Sequence, residues 1–246
     1  MRCNIRIVLV QTSCSANIGS VARAMQTMGL KELVLVDPQC DPQSLDAMAM
    51  AAGAQAVLLG ARKVATLEEA LEECHFVAGT SARDRELPWA MLTPKQLACK
   101  VLDTPQSSAI AIVFGREKNG LTNEELAQCQ VHIQIPTGGS YTSLNLAQAV
   151  QIMSYELCQA CLEERAVVPA KEERCVSPNQ GEIRSFFERL EQLLVDLKIL
   201  NREKPKKLMP RLKRFLYRAE PDKEELDILQ GILSAIQKMR ETHFKS

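Results

Sequence analysis

Residues 1–165 alternate short, nearly unbroken apolar runs with amphipathic stretches, and this alternation narrows the fold more than any other feature of the chain. Four runs, at 5–10, 33–36, 76–78 and 109–114, are apolar at almost every position and rich in Val and Ile. Strands covered on both faces have this pattern, because neither face can be polar. A fifth run, 131–135, alternates, which predicts a place nearer a sheet edge. Between the runs, residues 17–29 set Ile18, Val21, Ala22, Met25 and Met28 on one helical face, with Gly29 as a C-terminal stop. Further helices are predicted at 47–54 and 66–73, from Asn123, and from Ser143 to about Glu164. Strands alternating with helices imply an α/β class fold, a mainly parallel sheet with helices on both faces. Ligands of such sheets sit at the carboxyl ends of the strands. Those exits, 12–17, 37–40, 79–85, 115–120 and 136–142, are rich in Gly, Ser, Thr, Asn and Arg.

Beyond residue 165 the strand pattern stops. Residues 166–180 mix charge with two prolines and no periodicity, and read as a linker. Three helical patterns follow. Ile183, Phe186, Phe187, Leu190, Leu193, Leu194 and Leu197 mark the first; Leu208, Leu212, Phe215 and Leu216 the second; Leu226, Leu229, Ile232, Leu233 and Ile236 the third, with Pro221 near its first turn. The expected organisation is therefore an α/β domain over 1–165, a linker over 166–180 and a small all-α domain over 181–246. Net formal charge is zero, but its distribution is uneven. Residues 1–170 hold 13 Lys/Arg against 17 Asp/Glu, and residues 181–246 hold 15 against 11. From Lys198 to Arg218 nine basic residues face one acid, Glu203, with Phe215 and Tyr217 among them. A one-signed stripe of this kind suits phosphate contact with a structured RNA.

Some chemistry is disfavoured. The nine cysteines are odd in number and show no disulfide framework; Cys158-Gln-Ala-Cys161 has no second pair to complete a four-ligand zinc site. No metal is expected, and the thiols should be free and mostly buried in a reducing compartment. The three histidines lack ligand spacing, and no Ser–His–Asp arrangement stands out. No signal peptide pattern or 18-residue apolar stretch occurs, which predicts a cytoplasmic protein without membrane attachment.

Four constellations at the strand exits carry possible chemistry. Asn17-x-Gly19-x3-Arg23 follows the first strand; Asn17 is a good helix N-cap and Gly19 allows close approach. Taken alone it is equally a capped helix with a solvated arginine. Gly79-Thr80-Ser81-Ala82-Arg83 is a polar exit with no specific signature. Gly115-Arg116-Glu117-Lys118-Asn119-Gly120 is neither a Walker loop nor a dinucleotide fingerprint, and suggests a tight turn whose backbone meets a ligand or simply a charged surface turn. Thr142-Ser143-Leu144-Asn145 joins the last strand to the long helix; Thr142 or Ser143 is the expected cap, and Asn145 is an odd choice inside a first turn.

In order and spacing, Asn17-x-Gly19-x3-Arg23, Val113-Phe114-Gly115-Arg116-Glu117-x2-Gly120-Leu121-Thr122, and Ile135-Pro136 with Ser143-Leu144-Asn145-Leu146-Ala147 resemble the three motifs of the SPOUT RNA methyltransferases. Within that superfamily the chain is similar to the TrmJ group, tRNA 2′-O-methyltransferases acting on the cytidine or uridine at nucleotide 32. Thr80-Ser81-Ala82-Arg83 and the helical extension match that group as well, so the resemblance covers nearly the whole chain. It implies a trefoil knot at the C-terminal end of the α/β domain, which topology rules alone would not propose. It also implies S-adenosylmethionine as cofactor, a tRNA substrate, a homodimer, and no metal. Residues Thr80, Ser81, Ala82, Gly115, Ile135, Thr142, Ser143 and Leu144 would line the cofactor pocket. The resemblance makes Arg23, Asn17 and Ser143 the catalytic candidates. A guanidinium keeps its proton throughout the physiological range and is a poor general base. Arg23 is therefore expected to orient the ribose hydroxyl and stabilise developing oxyanion charge, Asn17 to position it, and Glu117 to fix its loop. The alternatives are methylation of rRNA or of another tRNA position, and RNA binding without catalysis.

Overall fold

The computed structural model describes residues 4–81, 91–105, 107–139, 142–165, 177–201 and 207–243. The chain divides into two compact units, Met1–Glu173 and Arg174–Ser246.

The first unit contains seven strands: β1 (Asn4–Val10), β2 (Glu32–Val36), β3 (Arg62–Val64), β4 (Phe76–Thr80), β5 (Met91–Leu92), β6 (Ala109–Phe114) and β7 (Val131–Ile133). They form one sheet in the order β3-β2-β1-β6-β4-β7-β5, and every pairing is parallel. Alternate side chains leave the two faces as a period-2 backbone requires. Ile5, Ile7, Leu9, Leu33, Leu35, Ile110 and Ile112 pack on one face; Val8, Val10, Val34, Val36, Ala111 and Val113 pack on the other. The first face is covered by α1 (Ser15–Thr27), α2 (Leu45–Ala51), α5 (Pro94–Leu102) and α7 (Leu146–Arg165); the second by α4 (Leu67–Leu71) and α6 (Asn123–Leu126). A short helix α3 (Gln55–Leu59) completes the unit. The fold is the expected α/β class, and the strands read as doubly covered are buried on both faces.

Several expectations change in detail. The run at 131–135 lies near the edge as expected, one strand in, with the two-residue β5 outside it, yet Val131, His132 and Ile133 are all buried. The alternation came from His132, whose Nε2 meets the Leu126 carbonyl at 3.1 Å and so tolerates burial. Strands β3 and β5 and helix α5 are additions to the expected elements; α5 starts at a capping box, Thr93 with Gln96, and has Pro94 as its first residue. Helix α1 begins at Ser15, and its far end is a Schellman closure: Gly29 adopts φ 75°, with Gly29 N–H to Gln26 O at 3.2 Å and Leu30 N–H to Met25 O at 2.9 Å. Gly19 lies where α1 meets α2; a Cβ there would stand 2.1 Å from the Ala47 carbonyl oxygen, so the helices can cross this closely only over glycine. After β7, Thr142 and Ser143 line the same cavity as the β6 exit, and α7 packs on α1 and α5.

The second unit holds α8 (Gln180–Asp196), α9 (Leu208–Ala219) and α10 (Lys223–His243). Of the expected linker, 166–176 lies outside the described residues, and Asn179 caps α8. Ile183, Phe186, Phe187, Leu193, Leu216, Tyr217, Leu226 and Leu233 are buried. Phe215 and Ile232, read as parts of apolar faces, are exposed instead, while Tyr217 takes the inner position, its hydroxyl donating to Gln180 Oε1 at 3.1 Å. Lys207, just before α9, and Arg211 and Arg218 on it are exposed, and Arg218 lies 6.0 Å from the Phe215 ring centre. Arg202, Lys204 and Lys206 lie outside the described residues. Of the seven described cysteines, all free, only Cys74 and Cys129 are buried, so the expectation of mostly buried thiols is corrected. Among the described residues no helix is long and apolar enough to cross a membrane.

Candidate active site

The exits of β4, β6 and β7 bound one open cavity of about 350 Å³. Its walls include Thr80 and Ser81 from β4, the Gly115–Leu121 turn after β6, Ile133 and Ile135 from the end of β7, and Thr142, Ser143, Leu144 and Leu146 before and in α7. Seven of the eight residues expected to hold the cofactor therefore meet around a single space; the eighth, Ala82, lies outside the described residues. The lining mixes apolar and polar residues, and the volume falls within the usual range for small-molecule sites.

Each wall has a local cause. Thr80 Oγ1 donates to the Val113 carbonyl at 3.0 Å, tying the end of β4 to β6, and Ser81 N–H reaches the Ile133 carbonyl at 2.9 Å. The β6 turn closes on itself: Gly120 N–H to Arg116 O at 2.9 Å and Arg116 N–H to Gly120 O at 3.3 Å. It is held from below by Arg116, whose guanidinium meets both Glu125 oxygens at 3.0 and 2.9 Å. Glu125 also accepts from the Thr122 backbone, in a capping box that starts α6. The Glu125 hydrogen bond, with the nearby charges of Glu125 and Asp37, shifts the Arg116 pKa upward against the opposing effect of burial.

Beside the cavity, one network joins the three motifs. Glu117 Oε1 accepts from Asn17 Nδ2 at 3.1 Å and from Cys14 N–H at 3.2 Å; Oε2 accepts from Ser13 N–H at 3.3 Å and Ser13 Oγ at 3.2 Å. Asn17 Oδ1 in turn accepts from Asn145 Nδ2 at 3.0 Å. Asn17 is thus not the helix N-cap: Cys14 holds that position without a side-chain bond, and Glu117, 103 residues away, satisfies its backbone donor. The cap of α7 is likewise neither Thr142 nor Ser143. Asn145 Oδ1 accepts from Ala147 N–H at 2.9 Å and Gln148 N–H at 3.4 Å. Its unusual position in the sequence has two causes at once, capping α7 and holding Asn17. Asn145 was not among the expected site residues; its poor helix propensity was the available signal.

Burial alone would raise the Glu117 pKa, but the hydrogen bonds from Asn17, its own loop backbone, Ser13 and Cys14 together hold it below the usual glutamate value. Because the folded value is depressed, the stabilisation is complete above the unfolded pKa of ~4.3 and is lost as pH falls through the folded value. Glu117→Gln is expected to cost about 1 kcal/mol at pH 7, modest because the site is partly solvated. The difference from the unaltered protein should shrink as denaturation is repeated at pH values below ~4.3; a constant gap would remove the charge from this account.

Arg23 stands on the exposed side of α1 and is not part of the cavity wall of its own chain. Ser143 is in that wall, and Asn17 touches it through Glu117.

A fully parallel sheet whose strand exits gather three ordered loops around one cavity defines a SPOUT-type α/β protein. The model of the SpoU rRNA Methylase family matches residues 4–155, and that of the tRNA methyltransferase TrmJ C-terminal domain matches residues 181–245. The chain belongs to the SpoU methylase family, in its TrmJ group. A relative from Pectobacterium atrosepticum, named tRNA (cytidine/uridine-2′-O-)-methyltransferase TrmJ, is 46% identical over 96% of this chain and 97% of its own length. The crystal structure of TrmJ from Z. mobilis ZM4 superposes with a TM-score of 0.82 at 29% identity, over 94% of this chain and 98% of that one. A probable methylase family protein from Haemophilus influenzae Rd KW20 is 43% identical over 99% of this chain and 100% of its own, with a TM-score of 0.66.

Proposed function

We propose that this chain methylates a ribose 2′-hydroxyl of tRNA with S-adenosylmethionine, at the cytidine or uridine of nucleotide 32. The observation that carries the reading is the convergence of Gly115, Ile135, Thr142, Ser143 and Leu144 on one cavity, with the Glu117–Asn17–Asn145 network beside it. The name borne by relatives of nearly equal length supports the substrate. When bound, the cofactor supplies an electrophilic methyl group on a sulfonium.

The chain's own groups have the remaining tasks. The Gly115–Gly120 turn and the Thr142–Leu144 segment hold the adenosyl part, and apolar Ile133, Ile135 and Leu146 exclude water from it. Arg23 orients the ribose hydroxyl and stabilises charge developing on its oxygen, and Asn17 holds the start of its helix in register. Since Arg23 lies outside the cavity of its own chain, the reading includes a homodimer in which Arg23 of one subunit serves the cavity of the other. The basic face of α9 contacts RNA phosphates. Such a substrate places the reaction in the cytoplasm, and the chemistry requires no metal.

Incubation with methyl-labelled S-adenosylmethionine and bulk tRNA, followed by nucleoside analysis and positional mapping, tests this directly. The expected product is 2′-O-methylcytidine or 2′-O-methyluridine at nucleotide 32. Label in rRNA, or elsewhere in tRNA, would replace the substrate assignment; cofactor binding without transfer would leave an RNA-binding protein.

A further inference from the structure

We propose that Gln11 is a positioning residue for the Arg116–Gly120 turn and through it sets how tightly the adenosyl ligand is held; the inference rests on the functional reading above. Gln11 is the first residue after β1. Its N–H donates to the Val36 carbonyl at 2.8 Å, so its backbone is fixed against β2. It adopts φ 48°, in the left-handed region, and Asp37, at the exit of β2, adopts φ 42°. Non-glycine residues are uncommon there, and such strain persists only where the surroundings hold it, often next to a working site.

The side chain explains what the conformation achieves. Gln11 Nε2 donates to Asp37 Oδ2 at 2.7 Å, and Gln11 Oε1 accepts from Arg116 Nε at 2.7 Å. The amide therefore lies between an anion and a cation, with each end matched to its neighbour. Arg116 uses its remaining nitrogens on Glu125 and, through Nη1, on the Gly120 carbonyl at 3.3 Å. Glu125 fixes one side of the guanidinium from α6, and Gln11 fixes the Nε side from β1. Without Gln11 the Nε side of the planar group loses its anchor and the group can shift about the Glu125 pair, and Gly120, whose carbonyl it steadies, lines the cavity.

This arrangement makes a specific demand on polarity. Leucine at position 11 fills similar space but leaves the Arg116 Nε–H without its acceptor. Glutamate keeps that acceptor but sets a carboxylate against Asp37. Asparagine at position 37 then restores the order of donors and acceptors, because the amide has moved across the pair. The test is calorimetric titration of S-adenosylhomocysteine into the full-length protein, with thermal melting of each ligand-free variant. Gln11→Leu is expected to weaken binding about tenfold, the scale of one hydrogen bond to a charged group. KM for S-adenosylmethionine should rise with it while kcat stays within about twofold. Gln11→Glu should weaken binding about three- to tenfold, Asp37→Asn alone should change little, and the Gln11→Glu/Asp37→Asn double variant should return to within about twofold of the original affinity. Unchanged binding by Gln11→Leu overturns the proposal. So does a double variant no better than Gln11→Glu, since the loss would not then run through this chain of contacts. If the unaltered protein fails to bind the ligand, the functional reading itself falls, and this inference with it.

Discussion

Arg23→Ala is expected to lower kcat for tRNA methylation by about 10³-fold while leaving cofactor affinity within about twofold, because removing a preorganised group that stabilises transition-state charge has this scale of effect. The guanidinium is exposed on α1 and makes no hydrogen bond or ion pair with another described residue, so its loss disturbs no packing. Alanine also suits a helix interior. Melting temperature and S-adenosylhomocysteine binding should therefore stay near those of the unaltered protein, and the deficit should lie in the rate. Arg23→Lys keeps the charge but not the planar fork, and should still lose about 10²-fold. A lysine variant close to full rate would show that Arg23 does not orient the hydroxyl.

Gly115→Ala should give the opposite signature, a loss of cofactor binding greater than about 10²-fold with folding weakened by about 1–3 kcal/mol, the usual range for overpacking. An added Cβ would lie 2.1 Å from the Gly120 carbonyl carbon and 2.2 Å from the Leu121 nitrogen. Both are backbone atoms of the turn that forms the cavity wall, so neither can swing aside as a side-chain tip would. Either the turn opens or β6 shifts. Calorimetry reads the first consequence and denaturant titration the second; ordinary binding by this variant would mean that the turn is not the ligand's support. The two variants also test the shared site. In a mixed dimer, Arg23→Ala supplies an intact cavity and Gly115→Ala supplies an intact Arg23. Recovered activity on mixing and refolding the two chains supports an arginine working across the subunits, and none supports one working within its own chain.

The parts of this molecule that sequence could show are those fixed by nearest neighbours. Strands β1, β2, β4 and β6 were legible because burial on both faces leaves little room for polar residues. The stop at Gly29 was legible because a left-handed residue after a helix favours glycine. Strand β3, Arg62-Lys63-Val64, was not, since two of its three residues face solvent; nor was β5, only two residues long. The loops of the site could be located, because polar, glycine-rich exits follow from the strands. Their internal wiring could not. Glu117 closes the start of α1 across 103 residues, and Asn145 reaches Asn17 across 128. Local pattern therefore assigned caps to Asn17, Thr142 and Ser143, the nearest plausible residues, when the acceptors at those helix ends were Glu117 and Asn145. Ring placement on α9 was lost for a related reason: Phe215 and Tyr217 have similar apolar bodies, and the buried Tyr217 hydroxyl finds its partner in Gln180, 37 residues away.

The strand order also governs how this protein can be assembled as it is synthesised. Strand β4 has only β6 and β7 as neighbours, and one side of β1 is reserved for β6. Until residue 114 has left the ribosome, β1, β2 and β3 can form only a three-stranded half-sheet with a bare edge, and β4 has no strand to join. The insertion of β6 is thus the keystone event: it joins β4 to the β1 side of the sheet and lets β7 and then β5 add beyond it, and every earlier nascent chain carries an unpaired edge at β1 that must be kept from other chains.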